Sequence, residues 1–337
     1  MILFAAPCFG IWIYICFTLY KIHFNSFHMP YGPAPAYCFP LSEICVYLLF
    51  IICLIHSFRK GIKDAGYLIG ALIFGLLLEF IDVYFLKGYT YGRFAVMLGS
   101  PPLDIPFWIG VGWGVIIYSA RLFTDRLGLG ILAAAALDAI IAINIYFTMD
   151  VVAYRLHMWD WGWSVKQMDP LTSDWFGIPY NNYFGWLIVV STYSYFSRLF
   201  EKHLQKGKQF IVKTMIPIGA IAVSEIILFS FFKFINNILL EKFGITSLHR
   251  FLVYLILLII IIIVGWTKRK QNSPARLPFA AWIVPAWFHL YFFLWFFLAG
   301  FNQENKWMTI FAIANLFLGV LIHMPVISKF SDKRVLN

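Results

Sequence analysis

Apolar residues fall along this chain in runs long enough to cross a bilayer, about 17 to 25 residues each, with short polar segments between them. The runs are Ile2 to Tyr20, Leu41 to Phe58, Ala65 to Phe85, Ile105 to Phe123, Leu127 to Met149, Tyr180 to Phe200, Phe210 to Ile235, Phe251 to Thr267, Ala280 to Gly300 and Trp307 to Ile327. The pattern predicts an all-α polytopic membrane protein with about ten transmembrane helices. No polar stretch is long enough for a soluble domain, so residues 1–337 read as a single membrane-embedded unit.

One tract breaks the pattern. From Asp150 to Trp186 the chain is polar and aromatic, with Trp159, Trp161, Trp163, Trp175, Tyr180, Tyr183 and Trp186 set among Asp150, Asp160, Asp169 and Asp174. Aromatic faces beside carboxyl groups suggest binding of, or chemistry on, an apolar molecule near the membrane surface. Pro179 opens the following helix at the position proline favours. Asn181 and Asn182 then fall in its first turn, where free N–H groups and side-chain amides can hold water or a polar head.

Acids inside the apolar runs are a second signal. A carboxyl near the bilayer centre costs about 2.5 to 3.5 kcal/mol on insertion scales. Glu79, Asp138 and Glu225 are so placed. Glu79 is followed by Asp82 at i+3, on the same helix face. Two close carboxyls in a low dielectric do not readily both ionise, so one is expected to hold a proton, as a general acid must. The alternative for each acid is a hydrogen bond between helices, to Asn144, a tyrosine or backbone.

Composition agrees with the hydropathy pattern. The chain is 61% hydrophobic, 20% aromatic and 12% charged, against roughly 25% charged in soluble domains. With the N-terminus placed inside, most of the Lys and Arg residues, among them Arg59, Lys60, Arg121, Arg198, Lys202 and Lys268 to Lys270, fall in cytoplasmic loops. This bias predicts a cell-membrane protein with both termini cytoplasmic. Glu79, Asp82 and the Asp150 to Trp186 tract then converge on the outer leaflet. The net charge of +10 reads as topology and contact with anionic membrane lipid, not as nucleic-acid binding.

Several chemistries have no sequence support. The five cysteines form no CxxC pair, and the eight histidines are scattered singly, so no metal site is expected. There is no GxGxxG, no Walker A sequence and no DxxxD pair, so no cofactor is expected. Gly110, Gly112 and Gly114 within a helix read as a close-packing face.

Several blocks together resemble the carotenoid biosynthesis family that includes carotenoid 1,2-hydratases of the bisanhydrobacterioruberin hydratase type. They are Glu79 with Gly88-x-x-Tyr91-Gly92; Leu98-Gly99, Pro102-Leu103-x-Ile105-Pro106 and Trp113; Asp150 with Trp159-x-Trp161; and Trp175-Phe-Gly-Ile-Pro179-x-Asn181-Asn182-x-x-Gly185-Trp186. The family usually carries two acids four apart before the tryptophan pair, the second followed by proline. Here the first position is Tyr146 and the proline is Val151, with Asp150 retained.

The resemblance implies a catalytic core over residues 66–200, with 201–337 adding further transmembrane helices. It also implies hydration of the terminal 1,2 double bond of an acyclic carotenoid, giving a tertiary alcohol. Protonating such an alkene requires a desolvated acid, and the resulting cation gains about 2 kcal/mol or more from each dry aromatic face. The expected catalytic residues are Glu79 or Asp82 as proton donor and Asp150 as base or water-positioning group. Asn181 and Asn182 would hold the water. Tyr91, Trp113, Trp159, Trp161, Trp175 and Trp186 would line the substrate pocket. Two other readings remain open: a different cofactor-free isoprenoid isomerase or cyclase, and a transporter or binding protein for lipid or carotenoid. The oligomeric state is not legible.

Overall fold

The computed structural model describes residues 34–86, 88–161, 173–204, 210–270 and 277–327. The first expected span, Ile2 to Tyr20, lies outside the described residues, as do Trp163 and Asp169. The helices are α1 (Cys38–Lys60), α2 (Ile62–Ile81), α3 (Phe107–Thr124), α4 (Ile131–Arg155), α5 (Tyr180–Leu204), α6 (Phe210–Ser230), α7 (Asn236–Phe243), α8 (Ser247–Thr267), α9 (Phe279–Leu298) and α10 (Lys306–Ile327). Among the described residues, eight helical segments are long and apolar enough to cross a membrane. The chain is an all-α, multi-pass membrane protein.

Those eight correspond to eight of the ten expected spans. Of the other two, one lies outside the described residues. The other, Tyr180 to Phe200, is helical as α5 but too polar to count by composition. Its Ser191, Ser194, Arg198 and Glu201 are buried and hydrogen-bonded within the protein, so they need no lipid-compatible surface. The reverse holds for α8. It has the highest mean hydropathy of the eight, 2.7, yet only 17% of it is buried, whereas α3 at 1.3 is 94% buried. Hydropathy here marks contact with lipid, not centrality.

Helices α3 and α4 form the centre. Helix α2 packs on α3, α5 packs on α4, and α6 lies against both α2 and α5. The later helices α8, α9 and α10 all pack on α4, so the chain after residue 201 is built onto the core. The expected close-packing glycines are borne out at two positions. A Cβ on Gly110 would come within 2.4 Å of Leu76, and one on Gly114 within 3.2 Å of Leu72, while Gly112 faces open space.

One end of the bundle is closed by charge. Arg121 grips Glu201 in a two-pronged contact at 2.8 and 2.6 Å, and Arg198 reaches Asp138 at 2.6 Å. Asp138 also accepts from Thr124 at 2.6 Å and from Ser194. Asp138 is therefore the centre of a helix-joining network, its bland reading. Burial opposes charge on the neighbouring Asp125, but Arg121 and Arg198 outweigh it and hold that carboxyl below the usual range.

The opposite end carries a short ribbon. After α2 the helix widens into a π turn, Asp82–Leu86, and leads to β1 (Tyr89–Tyr91). The chain then forms β2 (Met97–Leu98) and β3 (Ile105–Pro106), a small antiparallel pair that leads into α3. Strand β4 (Trp159–Trp161) follows α4 and pairs antiparallel with β1, Tyr89 opposite Trp161 and Tyr91 opposite Trp159. Directly opposed residues share a face, so four aromatic rings point the same way while Thr90 and Asp160 turn outward and are exposed.

Candidate functional site

The ribbon roofs a cavity of about 260 Å³ between α2, α3, α5 and α6. Nine of the expected site residues line it: Glu79, Asp82, Tyr91, Trp113, Trp159, Trp161, Asn181, Asn182 and Trp186. Expectation and structure part at two positions, Asp150 and Trp175.

Glu79 is the polar focus. Its Oε2 accepts from the phenol of Tyr91 at 2.6 Å and from that of Tyr89, and its Oε1 accepts from the Trp113 indole at 2.8 Å. Three donors on two oxygens form the partner set of an acceptor, and hydrogen bonds to a charged carboxylate are the strong kind. The indole reaches Glu79 because Gly75, one turn earlier on α2, has no side chain. A Cβ there would lie 2.5 Å from the Trp113 side chain. Burial, and then the adjoining Glu79 carboxyl, push the phenols of Tyr89 and Tyr91 far above the usual tyrosine range. Both therefore remain donors.

Asp82 lies one turn on, at the start of the π turn. Its carboxyl rests against Gly88, where a Cβ would come within 2.9 Å of Oδ1. Single π turns are frequent at functional sites because the extra residue redirects side chains. A second π turn, Phe231–Ile235, follows α6 and brings Phe232 and Lys233 to the same cavity.

The aromatic wall is a stack of three rings. Trp186 lies between Trp113, with ring centres 3.7 Å apart and planes at 21°, and Tyr146, at 3.8 Å and 24°. Tyr89 meets Trp161 edge-on at 4.6 Å. Trp113 and Trp186 are buried, so neither belongs to an interfacial belt.

Asp150 does not line the cavity. Helix α4 runs on past the expected end at Met149 to Arg155, which places Tyr146 and Asp150 on one helix face at i and i+4. Asp150 is fully buried behind the wall. It accepts from the Trp159 indole at 2.6 Å and from the Asn182 amide at 2.5 Å. Asn182 gives its other amide hydrogen to the Tyr146 hydroxyl at 2.9 Å, which leaves its carbonyl oxygen as an acceptor. Asn181 is the converse: its carbonyl oxygen accepts from Arg250 at 2.9 Å, which leaves its amide as a donor.

Trp175 turns away. It packs on Phe147 and Phe311, with ring centres at 5.7 and 4.9 Å. There it helps line a separate, almost wholly apolar cavity of about 270 Å³ between α4, α9 and α10. A short bridge joins Trp175 to Ile178, and spacing alone does not reveal which cavity the ring lines.

Tyr89, Tyr146, the α6 residues Leu228 and Phe229, and Phe232 and Lys233 of the π turn after α6 line the cavity without having been expected. Tyr89 was detectable, since alternation along a strand sets it beside Tyr91. Tyr146 stands where the resembling family has an acid. Asn144, an expected partner for Glu79 and Asp82, instead bonds Asn315 at 2.6 Å and His289 at 3.1 Å. Among the described residues no group of three His, Cys, Asp or Glu could hold a metal ion.

A family model described as "Domain of unknown function (DUF7802)" matches residues 34–307, a span that includes every residue lining the cavity beneath the ribbon. No curated protein and no solved structure matches the chain.

Proposed function

This chain belongs to the DUF7802 family, and we propose that it is a hydro-lyase that adds water to the terminal 1,2 double bond of an acyclic carotenoid or closely related isoprenoid. The observation that carries the reading is the cavity itself: a carboxylate fixed by three donors, facing stacked indole and phenol rings in an apolar surround. Such a site suits a tertiary carbocation. The fixed charge and the ring faces stabilise it without reorganising. The resemblance of residues 79–186 to carotenoid hydratases supports the same substrate class.

The hydrogen bonds divide the roles. Glu79, saturated with donors, is the anion that faces the developing cation. Asp82, which lines the cavity beside it, gives its proton to the terminal alkene carbon of the pair, so that the π bond breaks and a C–H bond forms. A water held between the Asn181 amide and the Asn182 carbonyl oxygen attacks the cation, forms the C–O bond and returns one proton to Asp82. Atoms and charge balance with no redox step. Asp150 is a positioning residue that orients Asn182 and Trp159. On the orientation that the positive charges favour, the cavity opens in the outer leaflet of the cell membrane, with both termini cytoplasmic.

The test is expression in a bacterium that accumulates an acyclic carotenoid, with mass analysis of the extracted pigment. The expected result is the gain of one water per modified end, reduced by about 100-fold or more in Glu79→Gln and Asp82→Asn, the scale on which loss of a single charge-stabilising group acts. Unchanged pigment with folded protein in the membrane would refute the reading.

A further inference from the structure

We propose that the cavity is loaded sideways from the bilayer, through a slot between α2 and α6, by a long apolar molecule that inserts one end and leaves the rest in lipid. The inference rests on the proposed substrate class and adds the route and the mode of binding.

Helices α2 and α6 pack closely at the level of Pro217. A Cβ on Gly70 would lie 2.6 Å from Pro217, and one on Gly66 would lie 3.4 Å from the same ring. Further along, Leu78, Ile81, Asp82 and Leu86 on one side and Leu228, Phe229, Phe232 and Lys233 on the other are lining residues of the cavity. Residue numbers rise together on the two helices, so they run parallel, and toward the ribbon residues of both border the cavity. Both end in a π turn at this level, Asp82–Leu86 and Phe231–Ile235. A π turn carries an extra residue and re-aims the side chains that follow, and here the paired turns flank the gap.

Leu86 both lines the cavity and is exposed, and Leu77, Phe80, Ile226, Ile227 and Phe234 are exposed elsewhere on the same two segments. Such surfaces face hydrocarbon, so a path between them leads to lipid. Lys233 stands at the end of the slot, where its long stem lets the ammonium reach the water boundary.

Size fixes what enters. At about 260 Å³, the cavity falls just short of the usual range of small-ligand sites, which begins at roughly 300 Å³. A polyene about as long as the hydrocarbon core is thick, roughly 30 Å, has most of its length left outside. The slot supplies a place for that remainder, and the acid and aromatic groups meet only the end group.

The experiment uses full-length protein in lipid nanodiscs, with the five native cysteines replaced and Leu86→Cys and Lys233→Cys introduced. A photoactivatable acyclic isoprenoid hydrocarbon is dissolved in the lipid, and labelled peptides are mapped. Before bridging, label is expected on Tyr89, Trp113 or Trp186 and on the facing surfaces of α2 and α6, with competition by unlabelled hydrocarbon. Bridging the two thiols with a cleavable crosslinker should abolish cavity labelling while lipid-facing label persists, and cleavage should restore it. That reversibility separates closure of the slot from misfolding. Cavity label that persists when the bridge is intact would overturn the proposal, as would a cavity reached only by a water-soluble probe. Labelling requires no turnover, so a sealed slot without hydratase activity retires the reaction and keeps the route, while hydration unaffected by the bridge does the reverse.

Discussion

At the scale of single residues, acids that look alike in the sequence separate by their partners. Glu79 has three donors, Asp150 has two, and Asp138 is bound by an arginine and two hydroxyls. Glu225 has none: both its carboxyl oxygens are buried without a hydrogen-bond partner among the described residues, and it is not a lining residue of the cavity. An unpartnered buried polar group costs about 1 to 3 kcal/mol. Glu225→Leu is therefore expected to raise thermal stability by an amount in that range, measured by unfolding in detergent, with hydration retained. Lower stability together with lost hydration would mean that Glu225 has a partner the function requires. Sequence alone could not make this separation, because hydropathy reports that a carboxyl lies in an apolar run and not what points at it.

At the scale of elements, most of the architecture was legible, and the irregular parts were not. Eight of the ten expected spans reappear as apolar helices because backbone in lipid has to satisfy its own hydrogen bonds. The end of α4 was misplaced by about two turns, since Asp150 and Arg155 look like loop residues until their buried partners are seen. The β1–β4 ribbon and the two π turns carry no strong sequence signal, yet they aim Tyr89, Tyr91, Asp82 and Phe232. Nine of the residues expected at a site share one cavity, and an acid with clustered tryptophans beside a membrane span was the signal that grouped them. Trp175 lines the other cavity instead.

The ribbon also sets a pH limit. Tyr89 and Tyr91 have phenols raised far above the usual range by burial and by Glu79. Groups raised in this way contribute stability that is whole below the unfolded tyrosine value of about 10 and declines as pH rises above it, because the folded state keeps protons that the unfolded state releases. Thermal unfolding measured across alkaline pH is expected to show this decline, and Tyr89→Phe is expected to flatten it. A wild-type curve level through that range would show that the phenols are not held as described.

At the scale of the molecule, the two ends of the bundle have opposite characters. One is locked by Arg121, Glu201, Arg198, Asp138 and Asp125. The other holds a cavity under a two-stranded roof, bordered by α2 and α6. Removing one partner from a buried ion pair leaves the other charge uncompensated, at a cost of about 3 to 5 kcal/mol, so the locked end gives the frame its rigidity. The family match over residues 34–307 covers both ends, and α8, α9 and α10 pack on α4, so the later helices support the core. The most direct test of the account is to give purified protein in lipid vesicles an acyclic carotenoid and water enriched in heavy oxygen, without added cofactor. The expected result is a tertiary alcohol carrying the heavy atom, formed by wild-type protein and not by Asp82→Asn. Unaltered pigment with folded protein, or an oxygen drawn from air instead of water, would contradict it.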